Sequence, residues 1–151
     1  MQTVRILEIP ACKAVSSGIG MFGDGVLERF DAWFSTLPRE LYPRDFLFWD
    51  SDGEKSGFHW IYLLREEMPA PEAFPVIDFP GGLYAVVTGI DGQTDDEEKY
   101  RTVDDFLAKT GFVRDPERKE MGNVLTPPPA ENALGYLQMD YYLPIRTADS
   151  E

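Results

Sequence analysis

An internal repeat constrains the fold of this chain more than any other feature. Residues 14–19 read AVSSGI and residues 85–90 read AVVTGI, 71 positions later. Pro10 stands a few residues before the first copy and Pro80 before the second, and each copy leads through Gly and Asp into a segment with helical periodicity. Similarity at a fixed spacing indicates repeated structural units, and two copies are too few for a solenoid. The repeat therefore predicts one domain built from two similar halves.

Length and composition agree with a single globular domain. A chain of 151 residues with 43% hydrophobic side chains can bury a substantial core. No apolar run reaches the roughly 18 residues of a membrane span, and the first residues lack the basic and apolar regions of a signal peptide. The single cysteine, Cys12, cannot form an internal disulfide, and a buried structural thiol is expected there. These observations predict a cytoplasmic protein.

The charge balance excludes some partners. Fourteen basic and 27 acidic residues give a formal net charge of −13, and no basic stripe interrupts the acidic composition. A field of that sign repels phosphate backbones and anionic lipids, so direct nucleic-acid binding and membrane binding are not expected. The same field favours a cationic ligand or a basic protein partner, although an acidic surface also serves solubility.

The first half, residues 1–65, has the pattern strand, helix, strand, strand. A strand that is interrupted or bent near Pro10 opens it. A helix follows, with apolar side chains at helical spacing from Val26 to Leu37, and it ends at Pro38 because proline cannot continue the hydrogen-bond ladder. Turn-forming residues then connect two aromatic-rich strands in a hairpin. The predicted strand segments are 3–9, 13–17, 45–50 and 57–64.

The second half, residues 80–145, repeats this order. A strand over residues 82–89 precedes a helix, for which Thr94 and Glu97 have the spacing of a capping box. Gly111 is suited to a left-handed residue at the end of that helix. The proline-rich residues 66–79 are expected to link the halves, and prolines 127–129 to separate the last two strands. Those strands are predicted at residues 118–125 and 134–145.

These elements predict an α+β fold in which residues 1–151 form one domain. The expected architecture is a duplicated strand–helix–strand–strand unit with a largely antiparallel sheet, two helices and a central cleft on the pseudo-twofold axis. Clefts of this kind are common places for small-molecule pockets. The functional site is therefore expected in that cleft.

Three stretches resemble the GyrI-like small-molecule-binding domain. They are FPGGLYAVV at residues 79–87, the acidic helix that follows, and DYYLPI at residues 140–145. The motifs are short, but their order and spacing extend the resemblance over essentially the whole chain. This domain is the effector module of multidrug-sensing transcription regulators, has a SOUL-like duplicated fold and also exists as a stand-alone protein. No DNA-binding segment precedes residues 1–9, so the resemblance predicts a stand-alone member.

The resemblance implies an aromatic-lined cleft in which a buried glutamate faces cationic ligands. The glutamate of the strand after the second helix matches Glu120. Phe58 falls where the family often has a pocket tyrosine, and Tyr42 falls near another such position. The fold also resembles haem-binding SOUL proteins in outline, but His59 is the only histidine and no clustered His/Cys set is present. No metal and no cofactor are therefore expected.

The residues themselves support a cation site only in part. The 71-residue spacing relates Glu120 to Trp49, and an indole opposite a carboxylate would suit a lipophilic cation through cation–π attraction. Alternatively, Glu120 is a solvated glutamate paired with Lys119 or Arg118, and Trp49 belongs to the core. A slip of one residue in the strands would also reverse the face on which these side chains lie.

Two strands offer further candidates for the ligand contacts. Strand alternation puts Phe58, Trp60 and Tyr62 on one face, where they either line the cleft or form core. In the last strand Met139 and Tyr141 share a face, and methionine adapts readily to a ligand. The complete set of predicted ligand-binding residues is Glu120, Trp49, Phe58, Trp60, Tyr62, Tyr42, Met139 and Tyr141.

Signals for an enzyme are few. The chain has no nucleophile elbow, no phosphate-binding loop and no dinucleotide fingerprint. The first hypothesis is therefore binding of a hydrophobic, cationic aromatic small molecule. The alternative, also implied by the resemblance, is hydrolysis of strained cyclopropane-bearing electrophiles by Glu120 with Trp60 or Tyr62, because a desolvated carboxylate can act as an acid or base. A third hypothesis is a protein that inhibits a DNA-processing enzyme such as gyrase.

Overall fold

The computed structural model describes residues 3–148 of the chain, which divide into two compact units. The first unit comprises residues 11–80, and the second comprises residues 3–10 and 81–148. In chain order the elements are β1 (Arg5–Ile9), β2 (Cys12–Gly20), α1 (Val26–Phe34), β3 (Asp45–Ser51), β4 (Ser56–Leu63), β5 (Val76–Phe79), β6 (Gly82–Ile90), α2 (Asp96–Ala108), β7 (Phe112–Arg114), β8 (Met121–Val124), α3 (Pro128–Leu134) and β9 (Gln138–Thr147).

Each unit contains an antiparallel sheet with the same strand arrangement. The order is β5-β2-β4-β3 in the first unit and β1-β6-β9-β8 in the second, where β7 also pairs with β9. In both units a helix connects the second strand of this order to the later strands. The predicted α+β fold with a duplicated strand–helix–strand–strand unit is confirmed.

The edge strands come from unexpected segments. Of the two alternatives near Pro10, the interruption is present and the bend is not, because β1 and β2 are separate strands that belong to different units. Proline has no backbone N–H and a fixed φ, so a ladder readily ends there. Within the segment expected to link the halves, residues 76–79 form β5, which pairs with β2.

The two copies of the repeat occupy the same position in each sheet. Ala14 pairs with Leu63 on β4, and Ala85 pairs with Leu143 on β9. On the other side, Ala14 pairs with Ile77 of the edge strand β5. Ala85 pairs with Ile6 of the edge strand β1, again 71 positions earlier.

The helix-facing residues of β2 and β6 are offset by one position from the alignment that the sequence repeat gives. Val15 packs with Phe30 of α1, whereas Ala85 and Val87 pack with Val103 of α2. Because alternate residues of a strand point to opposite faces, the helix-facing counterpart of Val15 is Ala85 and not Val86. The sequence repeat is therefore one residue out of step with the buried faces.

The structure also corrects the helix ends. The N-cap of α2 is Asp95, whose carboxylate accepts the Glu97 backbone N–H, so Thr94 does not cap the helix. Gly111 has no left-handed backbone conformation, and α2 ends with Lys109 as its C-cap.

Within residues 3–148 there are three helices, and the additional one, α3, begins in the proline run that was expected only to separate strands. Proline is favourable in a first helical turn because the N–H groups there lack intrahelical partners. No helix of the described residues is both long and apolar enough to cross a bilayer.

Candidate functional site

Glu120 lies immediately before β8 and takes part in a surface network. The Tyr100 hydroxyl of α2 donates to Glu120 Oε2 over 2.8 Å, and Arg114 Nη1 lies 3.4 Å from Glu120 Oε1. Arg114 also donates from Nε to Asp104. The Glu120 side chain is 45% exposed. The buried, ligand-facing glutamate that the resemblance implied is therefore not found at this position.

A desolvated carboxylate is present instead at Asp45 in the first unit. Asp45 pairs with Tyr62 across β3 and β4, and its Oδ2 accepts the Trp60 Nε1–H over 2.8 Å. Burial raises the pKa of Asp45 above its usual value. In the first unit Val15 pairs with Tyr62, which in turn pairs with Asp45. In the second unit Ala85 pairs with Leu143, and Glu120 is the next position of that row, just before β8. Because Val15 and Ala85 both face the helix of their unit, the counterpart of Glu120 is Asp45 and not Trp49.

Trp60 and Tyr62 lie in the hydrophobic cluster beneath α1. The Trp60 ring is 5.1 Å from Phe30, and the Tyr62 ring is 5.7 Å from Trp33. Tyr62 is almost completely buried. Tyr62 therefore follows the core alternative for the aromatic row, and Trp60 is partly buried against the same cluster.

The remaining predicted residues are dispersed over the two units. Tyr141 packs against α2, where the Lys99 ammonium lies 4.5 Å from its ring centroid. Met139 is buried on the same strand. Tyr42 is exposed in the first unit, in the segment between α1 and β3. These three residues do not form a common site within either unit.

Trp49 and Phe58 belong to an exposed aromatic cluster with Phe22. The Phe58 ring is 5.3 Å from Trp49 and 5.4 Å from Phe22, so Phe58 lies between the other two. Trp49 is 55% exposed and Phe22 is 60% exposed. Large exposed apolar side chains in contact with one another are typical of binding surfaces. Phe22, which was not predicted from the sequence, completes what we call the aromatic platform.

The loop that carries Phe22 is held by two carboxylates. Asp24 accepts the backbone N–H groups of Met21 and Val26, and Glu28 accepts those of Gly23 and Gly25. The bond from Met21 is the largest effect that lowers the pKa of Asp24, and the bond from Gly23 has that role for Glu28. Both carboxylates therefore stay ionised beside the aromatic platform at neutral pH.

A shallow cavity of about 290 Å³ adjoins Glu120 in the second unit. Arg114 and Arg118 contribute to its wall, together with Pro144. Arg118 is tied to Asp115 and to the carbonyl groups of Gly81, Leu83 and Ile145. The two guanidinium groups of the wall are paired with the carboxylates of Glu120 and Asp115, so the described residues of the lining offer no unpaired carboxylate for a cationic ligand.

The face of the second unit opposite α2 carries a buried polar cluster. Asp140 Oδ1 accepts hydrogen bonds from Arg5 Nη2 and from the Thr88 hydroxyl, each over 2.6 Å. Asn123 pairs with Asp140 across β8 and β9. Its Oδ1 is buried and has no hydrogen-bond partner among the described residues. In this unit the buried carboxylate is therefore that of Asp140 and not that of Glu120.

A Ser–His–Asp arrangement in the first unit was missed from the sequence. Ser16 Oγ lies 2.6 Å from His59 Nε2, and His59 Nδ1 lies 3.0 Å from Asp50 Oδ2. The three residues come from β2, β4 and β3 and are far apart in the sequence. A register shift in β2 between Ser16 and Ile19 accompanies the contact, and no sequence motif marks it. The contacts among these three side chains are therefore visible only once the strand register is known.

The sequence matches no protein-family model and no curated protein. The fold, by contrast, matches solved structures. The EcmrR C-terminal domain is 9% identical with a TM-score of 0.63, and the match covers 97% of this chain and 99% of that one. The chain has the GyrI-like fold. The fold that the sequence resemblance implied is thereby confirmed.

Two further structures share this fold. A hydrolase from Listeria innocua is 13% identical with a TM-score of 0.67, and the match covers 95% of this chain and 91% of the hydrolase. SAV2435 bound to tetraphenylphosphonium is 8% identical with a TM-score of 0.53, and the match covers 95% of this chain and 94% of SAV2435. At these identities the similarity extends to the fold alone.

Proposed function

We propose that this protein binds a hydrophobic organic cation and that the aromatic platform of Phe22, Phe58 and Trp49 contacts it. The observation that carries this proposal is the exposure of Phe22 and Trp49 on either side of the Phe58 ring, with two ionised carboxylates holding the loop of Phe22. Aromatic faces attract cations through their quadrupoles, and an exposed contact contributes about 0.5–1 kcal/mol. The rings provide apolar area, and the carboxylates select the charge.

The comparison with SAV2435 supports the same ligand class. A protein with this fold is bound to tetraphenylphosphonium, a lipophilic cation with four phenyl rings. The net charge of −13 also raises the local concentration of cations near this chain. Glu120 is not part of the proposed site, because Tyr100 and Arg114 already engage its carboxylate.

The decisive experiment compares two ions of nearly the same shape and opposite charge. Isothermal titration calorimetry should detect binding of tetraphenylphosphonium and much weaker binding of tetraphenylborate. The Trp49→Ala variant should bind tetraphenylphosphonium roughly 5-fold or more weakly, which corresponds to about 1 kcal/mol. Tyr136→Ala is the matched control, because Tyr136 is a partly exposed aromatic residue of the second unit.

The charge requirement is tested separately with Asp24→Asn and Glu28→Gln. Each substitution should weaken tetraphenylphosphonium binding, and raising the salt concentration should reduce the difference from wild type. Equal affinity for the phosphonium and the borate would contradict the charge-selective part of the proposal. An unchanged affinity in Trp49→Ala together with a loss in Tyr136→Ala would refute the assignment to the aromatic platform.

The second candidate function is hydrolysis of a small electrophile. It is favoured by the Listeria innocua hydrolase, which has the same fold. The mechanism considered from the sequence required a desolvated Glu120 beside Trp60 or Tyr62. Glu120 is half-exposed, and both aromatic residues pack beneath α1, so this candidate needs a different reactive group.

Hydrolysis itself is tested by incubating the protein with small activated esters and measuring product. More than one product molecule for each protein molecule would support this candidate. Stoichiometric recovery of the unchanged ester would contradict it.

A further inference from the structure

The geometry of Ser16, His59 and Asp50 is compatible with the proton arrangement that catalysis by serine requires. A carboxylate only accepts hydrogen bonds, so the 3.0 Å contact with Asp50 requires the proton on His59 Nδ1. In the neutral imidazole with that proton, His59 Nε2 carries a lone pair to which the Ser16 hydroxyl can donate over 2.6 Å. The Gly18 backbone N–H donates to the same Ser16 oxygen over 3.0 Å. The serine proton therefore points at the imidazole nitrogen that can remove it.

We propose that Ser16 is the nucleophile of an esterase site that accepts small carboxylic esters, with His59 as general base and Asp50 as a positioning residue. This proposal rests on the second candidate function, hydrolysis, and names its reactive groups. Nucleophile–base and base–carboxylate hydrogen bonds in this order are the arrangement that activates serine on unrelated folds. The recognition is by geometry, since no sequence motif accompanies these residues.

The proposed reaction proceeds in two balanced steps. The Ser16 oxygen forms a bond to the ester carbonyl carbon, while its proton passes to His59 Nε2. The alcohol then leaves with that proton, and an acyl group remains on Ser16. Water attacks the acyl carbon, gives one proton to His59 Nε2, and the acid leaves as Ser16 recovers the proton. The Gly18 N–H, which donates to the Ser16 oxygen, holds that oxygen in position during these steps.

The local structure defines the surroundings of the Ser16 hydroxyl and its exposure. A left-handed Gly18 with φ of 79° and the register shift in β2 turn the backbone toward Ser16 Oγ. The Phe48 ring packs 4.9 Å from the His59 ring. Ser16 is 3% exposed, whereas the side chains of His59 and Asp50 are 12% and 21% exposed. The low exposure of all three side chains favours a small ester over a bulky one.

The test uses p-nitrophenyl acetate as substrate and diisopropyl fluorophosphate as a covalent probe. Wild type should release nitrophenol over multiple turnovers, and mass spectrometry of proteolytic peptides should locate the phosphoryl adduct on Ser16. Ser16→Ala and His59→Gln should each lower kcat/KM at least 100-fold. Ser35→Ala, which changes an exposed serine at the end of α1, is the control and should leave the rate unchanged.

The role of Asp50 needs a measurement that a purely structural role would not change. Asp50→Asn should lower kcat with little change in KM, and it should shift the ¹⁵N resonances of the His59 ring toward the other tautomer. Ser16→Cys, which nearly preserves the side-chain volume, provides a second nucleophile variant if Ser16→Ala unfolds. Circular dichroism establishes that each compared variant is folded.

Each outcome decides a different part of the proposal. Turnover that persists in Ser16→Ala and His59→Gln, or an adduct on another residue, would overturn the assignment of the nucleophile and leave hydrolysis standing. The absence of both turnover and adduct in wild type would overturn the assignment and the second candidate function together. Loss of turnover in both variants with the adduct on Ser16 would establish the site.

Discussion

Glu120 is expected to control the ionisation of Tyr100, and the Glu120→Gln variant tests this. Burial is the largest effect that raises the pKa of Tyr100 to about 12, and the hydrogen bond to Glu120 and the charge of its carboxylate come next. The guanidinium of Arg114, 4.9 Å from the Tyr100 ring centroid, acts in the opposite direction. Glutamine keeps a hydrogen-bond acceptor at this position but removes the negative charge.

The size of the effect follows from the 2.8 Å contact between the Tyr100 hydroxyl and Glu120 Oε2. Two unit charges at this separation interact by roughly 1.5 kcal/mol even in a medium with the dielectric constant of water. Because one pKa unit corresponds to about 1.4 kcal/mol, Glu120→Gln should lower the pKa of Tyr100 by about one unit. The pKa should stay above 10, the ordinary value for tyrosine, because the burial is unchanged.

The assay is an NMR titration of ¹³Cζ-labelled tyrosine, with the Tyr100 resonance identified by its absence in Tyr100→Phe. Glu117→Gln is the control, because Glu117 is exposed and lies three residues before Glu120. An unchanged pKa for Tyr100 in Glu120→Gln would refute the contact with the carboxylate. A decrease of equal size in Glu117→Gln would attribute the effect to the general charge of the chain.

The titration also predicts how stability depends on alkaline pH. The folded-state pKa of Tyr100 lies above the ordinary value of 10, so the folded chain retains the proton longer than the unfolded chain. The stabilising contribution is fully present below about pH 10 and is lost as the pH rises toward 12. Urea unfolding across this range should show a weaker pH dependence in Tyr100→Phe than in wild type.

Three further predictions concern the first unit. Phe30→Ala should reduce the free energy of unfolding by about 3–5 kcal/mol in urea titrations, because Phe30 is completely buried beneath α1; a loss below about 1 kcal/mol would contradict this packing. Burial raises the folded-state pKa of Asp45, so the stabilising contribution of Asp45 is present at low pH and is lost as the pH rises through that pKa. Asp45→Asn should therefore gain stability relative to wild type between acidic and neutral pH, and a difference in urea midpoints that does not change with pH would refute the raised pKa of Asp45. Gly57→Ala should destabilise the fold by about 1–3 kcal/mol, since a Cβ there would lie 2.6 Å from the Gly20 carbonyl oxygen; an unchanged thermal midpoint would show that the hairpin can move away.

The sequence predicted the local elements well where the determining interactions are short in range. The apolar spacing from Val26 and the acidic start of the second helix predicted α1 and α2, although the N-cap of α2 is Asp95 and not Thr94. Alternating aromatic residues and a turn-rich segment predicted the hairpin of β3 and β4. The repeat at residues 14–19 and 85–90 predicted the duplicated unit. Propensity and periodicity depend on neighbours along the chain, so a single sequence contains this information.

Strand partners and faces were decided only by the tertiary structure. Glu120 was expected to be buried opposite Trp49, but the pairing of the strands makes Asp45, four residues before Trp49 in β3, its counterpart. Trp60 and Tyr62 become core because α1 covers their face. Two strands can pair in several registers with similar local sequence patterns, and a shift of one residue moves every side chain of a strand to the other face. The pattern along the chain therefore cannot select the register alone.

The Ser16, His59 and Asp50 contacts illustrate the same limit. His59 was noted in the sequence only as an unsuitable haem ligand, because nothing along the chain relates it to a serine 43 positions earlier. The register of β2, β4 and β3 and the shift after Ser16 bring the three polar groups within hydrogen-bond distance. The sequence by itself determined the fold class, the acidic charge and most of the helices and strands, since these depend on composition and local pattern. The tertiary structure decided which side chains meet, because long-range pairing joins residues that the local pattern treats independently.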